Sequence, residues 1–181
     1  MPTSEQQIIH RVSELVAADS VSSPDPRWDS SNRKVIHHIA EYAEGDGWAV
    51  EIQELGSDAN TKANLIASLG DCCETGGQPS GLVLSGHTDT VPFDAEGWDS
   101  DPLTLDERDG RLYGLGSTDM KGFFAVALEA AAAFDPKEFK SPLYLLATAD
   151  EESTMRGARS LTKDYLPKAR AAVVGEPTDL R

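Results

Sequence analysis

Cysteine is scarce in this sequence, and both a leader segment and long apolar runs are missing. The two cysteines, Cys72 and Cys73, are adjacent, which argues against a disulfide framework and against a Cys-x-x-Cys metal knuckle. The first residues have no basic segment followed by an apolar run, so no secretory signal is predicted. No stretch reaches the roughly 20 consecutive apolar residues that a membrane-spanning helix needs. We therefore expect a cytoplasmic protein with no membrane partner, whose two thiols stay reduced.

Basic residues are also few, with 16 Lys and Arg against 31 Asp and Glu and a net charge of -15. Such a chain repels phosphate, so we predict no nucleic-acid partner. The 181 residues, 39% of them hydrophobic, suffice for one compact domain with a core. The acidic excess also permits a cluster of carboxylates whose mutual repulsion bound cations would relieve.

Four segments are predicted to form helices from their apolar spacing or composition. The first begins near Ser4, the expected N-cap, and the second covers residues 31–44. The third is the alanine-rich segment 120–134, and the fourth covers residues 153–165.

Five short apolar runs alternate with these helices and predict strands. They cover residues 48–55, 63–70, 81–87, 142–150 and 169–177. We expect the turn-rich segment 71–80 to be a hairpin connection. The alternation favours an α/β fold, a three-layer α/β/α domain with a largely parallel mixed sheet. Such folds bind ligands beyond the carboxyl ends of their strands.

Acidic and imidazole side chains stand at the ends of three of these strands and before one helix. His87 and Asp89 lie at the end of the third strand, residues 150–152 at the end of the fourth, and Glu176 at the end of the fifth. Asp119 comes just before the alanine-rich helix. Four separate segments therefore place such groups where this architecture builds its sites.

Each of these residues has an ordinary structural alternative when it is taken alone. His87 could be a hydrogen-bonded loop histidine, and Asp119 could cap the helix that follows it. Glu151 and Glu152 could form a solvated turn, and Glu176 could lie in a surface turn. Their coincidence at strand ends favours a joint role.

Binding of two divalent cations would explain why these residue types occur together. Imidazole and carboxylate are ligands of such ions, and one aspartate can bridge two of them. Two ions about 3.5–4 Å apart polarise an amide carbonyl and activate water. A further carboxylate that binds no metal must then move the proton, and adjacent glutamates can divide these tasks because their side chains point in opposite directions.

Four ordered motifs in this sequence resemble metallopeptidase family M20, and the resemblance covers nearly the whole chain. Members of that family are co-catalytic metalloenzymes, commonly with zinc and often active with cobalt. The resemblance implies a zinc-peptidase-like catalytic domain that holds two divalent metal ions, with zinc expected. The motifs are LSGHTDTVPFD (84–94), LYGLGSTDMKGFFA (112–125), LATADEEST (146–154) and VGEPTDL (174–180).

The resemblance also implies a role for each candidate residue. His87 and Glu176 are expected to bind one metal, Glu152 the second, and Asp119 both. Glu151 corresponds to the general base, and Asp89 to the acid that orients the imidazole of the first metal ligand. The peptide bond between Asp119 and Met120 is a candidate for the cis form.

Family members are about twice as long as this chain, so residues 1–181 are expected to be the amino-terminal part of the catalytic domain. A lid or dimerisation domain and a carboxyl-terminal catalytic segment would then be absent, together with the histidine that completes the second metal site. His10, His37 and His38 lie in predicted helices and match no family ligand. In a full-length form we expect a homodimer.

The expected reaction is the removal of acetate from N-acetyl-L-ornithine, a small N-acylated amino acid, for arginine synthesis. This choice depends on the similarity of three segments, TVPFD, LYGLGSTDMKGFFA and ATADEES, to family members with that activity. Relatives that act on succinyl-diaminopimelate, on other acylated amino acids or on dipeptides share the metal ligands and are the alternatives. A non-catalytic metal-binding fragment is the alternative from a different class, and the isolated chain is expected to have little activity.

Overall fold

A computed structural model of the chain describes residues 3–57, 61–70, 80–161 and 169–178. The helices are α1 (Ser4–Ala17), α2 (Arg33–Gly45), α3 (Lys121–Ala132) and α4 (Arg156–Ser160), with 3-10 turns at Ala95–Gly97 and Pro136–Glu138. The strands are β1 (Ala49–Glu54), β2 (Ala63–Leu69), β3 (Leu82–His87), β4 (Asp106–Arg108), β5 (Arg111–Tyr113), β6 (Leu143–Thr148) and β7 (Ala171–Val174).

The first helix begins one residue earlier than the sequence suggested. Thr3 is the N-cap, and its hydroxyl accepts from the Gln6 N–H while the Gln6 side chain accepts from the Thr3 N–H. This reciprocal pair is a capping box, which satisfies two backbone donors at the helix start. The prediction of Ser4 as the cap was therefore wrong, because Ser4 is already the first helical residue.

Five strands form one mixed sheet in the order β1-β2-β6-β3-β7. β3 lies parallel to both β6 and β7, whereas β2 runs antiparallel to β1 and β6. The predicted mixed α/β sheet is confirmed, with its parallel half in β6, β3 and β7. The predicted hairpin over residues 71–80 was wrong, because β6 separates β2 from β3; residues 71–79 themselves lie outside the described part of the chain.

The main core fills one face of the sheet. Alternate residues of β2, including Leu65 and Ala67, pack against buried residues of α1, α2 and α3, such as Leu15, Ile39 and Phe124. On the opposite face, Asn64 binds the start of α4 through the carbonyl oxygen of Gly157 at 3.0 Å. The predicted fourth helix over 153–165 is shorter in the structure, and residues 162–168 fall outside the described ranges.

The small hairpin of β4 and β5 leads into the loop that carries Asp119 and then into α3. Leu105 and Leu112 pack against a second apolar cluster of Val12, Val16 and Ala125, which links the hairpin to α1 and α3. In the described ranges, no helix is both long and apolar enough to cross a bilayer.

Candidate metal centre

The parallel strands bring the candidate residues together at one edge of the sheet. β3, β6 and β7 run in the same direction, so their carboxyl ends lie side by side. His87 is the last residue of β3, Glu151 and Glu152 follow β6, and Glu176 follows β7. The edge therefore gathers residues that are far apart in sequence, as expected for an open α/β sheet.

His87 is 2% exposed, and its two ring nitrogens face different surroundings. Nδ1 lies 3.0 Å from the backbone carbonyl oxygen of Asp89, while Nε2 lies 3.1 Å from Asp119 Oδ1 and 3.6 Å from Glu176 Oε1. Because the Asp89 carbonyl can only accept, Nδ1 carries a proton and donates it. Nε2 is thus the nitrogen that a cation between these carboxylates would bind.

Asp89 is fully buried and connects the histidine to the pair of glutamates. Its Oδ1 accepts from the Glu151 N–H and its Oδ2 from the Glu152 N–H, both at 3.0 Å. Its Oδ1 also lies 3.5 Å from His87 Nδ1. Burial alone would raise the pKa of Asp89, but the hydrogen bonds from His87 and from the two N–H groups lower it. Asp89 is therefore a buried carboxylate that holds both sides of the centre.

Two overlapping groups of ligand atoms share His87. One group is His87, Asp119 and Glu176, and the other is His87, Glu151 and Glu152; within each, the atoms lie within 4.8 Å of one another. The structure thus brings together all the residues that the sequence singled out. Distance alone does not separate Glu151, the predicted base, from Glu152, the predicted ligand.

The charges in the cluster perturb one another. Burial lowers the pKa of His87, but Asp89, Glu176 and Asp119 outweigh it and raise the pKa to about 9. Burial and the charge of Asp119 raise the pKa of Glu152, and burial likewise raises the pKa of Glu176. These shifts report carboxylates that repel one another beside one imidazole, and a divalent cation would relieve that repulsion. The donor set of one imidazole and several carboxylates suits a divalent metal ion.

The segment before α3 sets the position of Asp119. The peptide bond between Asp119 and Met120 is cis, as predicted. The next two side chains are buried, and Lys121 Nζ donates to the backbone carbonyl oxygen of Ala18 at 2.8 Å. Met120 in turn packs beside Gly86, where a Cβ would lie 2.6 Å from the methionine methyl carbon. Asp119 therefore stands on an anchored segment, and its side chain is 47% exposed.

Sequence reasoning missed several buried polar residues around the centre. Asn32 bonds the backbone of Ala63 and the hydroxyl of Thr88, and Lys62 contacts Asp29 and Asp150. A lone lysine or asparagine beside an apolar segment carries no periodic signal, so only the fold identifies these residues. Among the described residues, His87 is the only histidine in either group of ligand atoms.

Comparison with known proteins identifies one peptidase family and a group of deacetylases that are similar to this chain. Residues 83–181 match the model of peptidase family M20/M25/M40. The acetylornithine deacetylase of Aliivibrio salmonicida (strain LFI1238) is 47% identical over 167 residues, which are 92% of this chain and 42% of that protein. The acetylornithine deacetylase of Proteus mirabilis (strain HI4320) is 45% identical over 168 residues, 93% of this chain and 42% of the relative.

Among solved structures, human carnosine dipeptidase 1 matches with a TM-score of 0.72 at 24% identity, over 92% of this chain and 38% of that one. This likeness concerns the fold alone. The chain spans about two fifths of the length of the relatives it matches, since 42% of each is covered.

Proposed function

Because the chain belongs to peptidase family M20/M25/M40, we propose that it is the amino-terminal part of the catalytic domain of an acetylornithine deacetylase. The reaction is the hydrolysis of the acetyl amide of N-acetyl-L-ornithine. The observation that carries this proposal is the 47% identity to acetylornithine deacetylase over 92% of the chain. The acidic cluster around His87 supports it, because the proposed reaction needs such a centre.

We assign the ligands as the family resemblance implies. His87 and Glu176 would hold one divalent ion, Glu152 the second, and Asp119 both. The close approach of His87 Nε2 to Asp119 and Glu176 supports the first ion. A histidine from the remainder of a longer protein would complete the second site. Two zinc ions are the proposed cofactors, with cobalt as a substitute. Bound ions of this kind polarise the amide carbonyl and acidify water.

Glu151 is the proposed proton carrier. Its carboxylate takes a proton from the attacking water and delivers it to the ornithine nitrogen as the amide bond breaks. The hydrogen bond from the Glu151 N–H to Asp89 fixes the backbone of Glu151. The carboxylate therefore moves only by rotation about the bonds of its own side chain. Asp89 also orients His87, because its Oδ1 lies 3.5 Å from the protonated Nδ1 of that imidazole.

The test uses the full-length protein that contains this chain, loaded with zinc or cobalt. It is incubated with N-acetyl-L-ornithine, N-succinyl-diaminopimelate, other N-acetyl amino acids and dipeptides, and product release is measured. We expect the highest kcat/KM with N-acetyl-L-ornithine. A higher kcat/KM with another of these substrates would show that the protein has a related activity of the same family instead.

A protein that binds two metals yet hydrolyses no acylated amino acid would end the enzyme proposal and favour a metal-binding fragment. Mixing the isolated chain with a separate carboxyl-terminal segment gives a second test, because restored hydrolysis would show that the two parts form one site.

The cytoplasmic location and the homodimer of the full-length form stay predictions.

A further inference from the structure

Lys62 is a buried cation beside the candidate metal centre to which the proposed mechanism gives no role. Its side chain is 2% exposed, and Nζ lies 2.9 Å from Asp29 Oδ1 and 3.0 Å from Asp150 Oδ1. Nζ also donates to the backbone carbonyl oxygen of Ser30. The ammonium therefore donates two hydrogen bonds, to Asp29 and Ser30, and forms an ion pair with Asp150.

The pairing of β2 with β6 explains why Lys62 meets Asp150. Lys62 immediately precedes β2 and Asp150 lies two residues after β6, so the antiparallel pairing of these strands brings both residues to the same edge of the sheet. Lys62 is also held by its backbone, since its carbonyl oxygen accepts from the Leu55 N–H at 2.8 Å. The ends of two paired strands thus place Lys62 and Asp150 next to each other.

Asp150 begins the turn that carries both glutamates. It adopts φ 58°, a left-handed conformation that residues with a side chain seldom take. Its carbonyl oxygen accepts from the Met155 N–H at 2.6 Å, which closes the turn. Its carboxylate contacts Lys62 Nζ and accepts from the Ser22 hydroxyl at 3.3 Å. These contacts hold Asp150 in a conformation that the backbone alone disfavours.

The turn is therefore anchored at two places. Lys62 and Ser22 hold the Asp150 side chain, and Asp89 accepts from the next two N–H groups along the chain. Taking an ammonium out of water is costly unless carboxylates and hydrogen bonds surround it. Removal of Lys62 would leave the Asp150 carboxylate without this cation at the start of the turn.

We propose that Lys62 is a positioning residue, which through Asp150 sets the backbone from which Glu151 and Glu152 reach the reacting centre. This inference rests on the proposed function for its kinetic consequences. A displacement of about 1 Å of a catalytic group can lower turnover about 100-fold. Loss of the ion pair should therefore act on kcat more than on KM.

The test uses the full-length protein with zinc and the variants Lys62→Met and Asp150→Asn. For both we expect kcat to fall at least about tenfold while KM changes less than about twofold. Asp29→Asn is the matched control, because Asp29 is as close to Nζ as Asp150 but lies outside the glutamate turn. Its kcat should fall less than that of Asp150→Asn.

Arg11→Met controls for the loss of a buried cation. The Arg11 side chain is 5% exposed and pairs with Asp46 at 2.9 Å. Asp46 precedes β1, whose first residue, Ala49, pairs with Ser68 near the end of β2 that is remote from Lys62. This variant should lower the melting temperature without lowering kcat. Equal loss of kcat in Lys62→Met and Arg11→Met, or in Asp29→Asn and Asp150→Asn, would overturn the inference.

Amide hydrogen exchange gives a readout that does not need activity. In the metal-free protein, Lys62→Met should speed exchange at Glu151 and Glu152, whereas Arg11→Met should not. Should Lys62→Met fail to fold, Asp150→Asn gives the same comparison. Unchanged exchange at the two glutamates would reject the role of Lys62 even if wild type hydrolyses N-acetyl-L-ornithine. An inactive wild type with faster exchange in the variant would reject only the proposed function.

Discussion

Replacing Asp89 by asparagine tests whether one buried carboxylate organises the centre. The wild-type side chain accepts two N–H groups at 3.0 Å, from Glu151 and Glu152. Asparagine has the same shape but only one acceptor oxygen, so its amide group would face one of these donors. A buried donor left without a partner costs about 1–3 kcal/mol, and the remaining bond loses its charged acceptor. We therefore expect the variant to be about 2–4 kcal/mol less stable.

The measurement is urea unfolding of the metal-free protein, followed by zinc competition against a chelator. Loss of the acid that lies beside His87 Nδ1 should weaken zinc binding about 10–100-fold. Asp101→Asn is the matched control, because Asp101 also accepts two hydrogen bonds, from the Leu103 N–H and the Thr104 hydroxyl, but is exposed. It should change stability by no more than about 0.5 kcal/mol. If Asp89→Asn matched this control in both measurements, the organising role of Asp89 would be refuted.

Two further predictions concern Glu151, the proposed proton carrier, and His87, a proposed metal ligand. Glu151→Ala in the full-length protein should lower kcat about 10²–10⁴-fold and leave zinc content nearly unchanged, as measured by elemental analysis; equal losses of zinc and activity would make Glu151 a ligand. For His87, the pKa in the folded metal-free protein is raised from 6.5 to about 9, so its stabilising effect is complete below pH 6.5 and is lost as the pH rises to 9. Urea unfolding in a chelator should show this loss, up to about 3 kcal/mol, and His87→Asn should remove it; an unchanged pH profile in that variant would contradict the assignment.

Local sequence patterns were sufficient for most elements and for the candidate site residues, but they did not predict β4 and β5. The helix spacing and the apolar runs predicted α1, α2, α3 and the five strands of the main sheet to within two or three residues. The ligand candidates followed because parallel strands end at one edge, so polar residues after apolar runs converge there. His87, Glu151, Glu152 and Glu176 could thus be proposed as site residues without any knowledge of the strand order. Asp119 stood before a predicted helix, and only the family resemblance divided the five residues into ligands and general base.

Only the tertiary structure decided how those elements support the centre. The insertion of β6 between β2 and β3 arises from pairings between distant segments, which leave no trace in local periodicity. That order puts Lys62 beside Asp150, and the packing at the strand ends turns the Asp89 carboxylate toward two backbone N–H groups. Side-chain spacing along a strand determines which face a residue occupies, whereas the partner it meets there depends on the register of a strand many residues away. The candidate ligands could therefore be proposed from the sequence, whereas the groups that hold them in place depend on the fold.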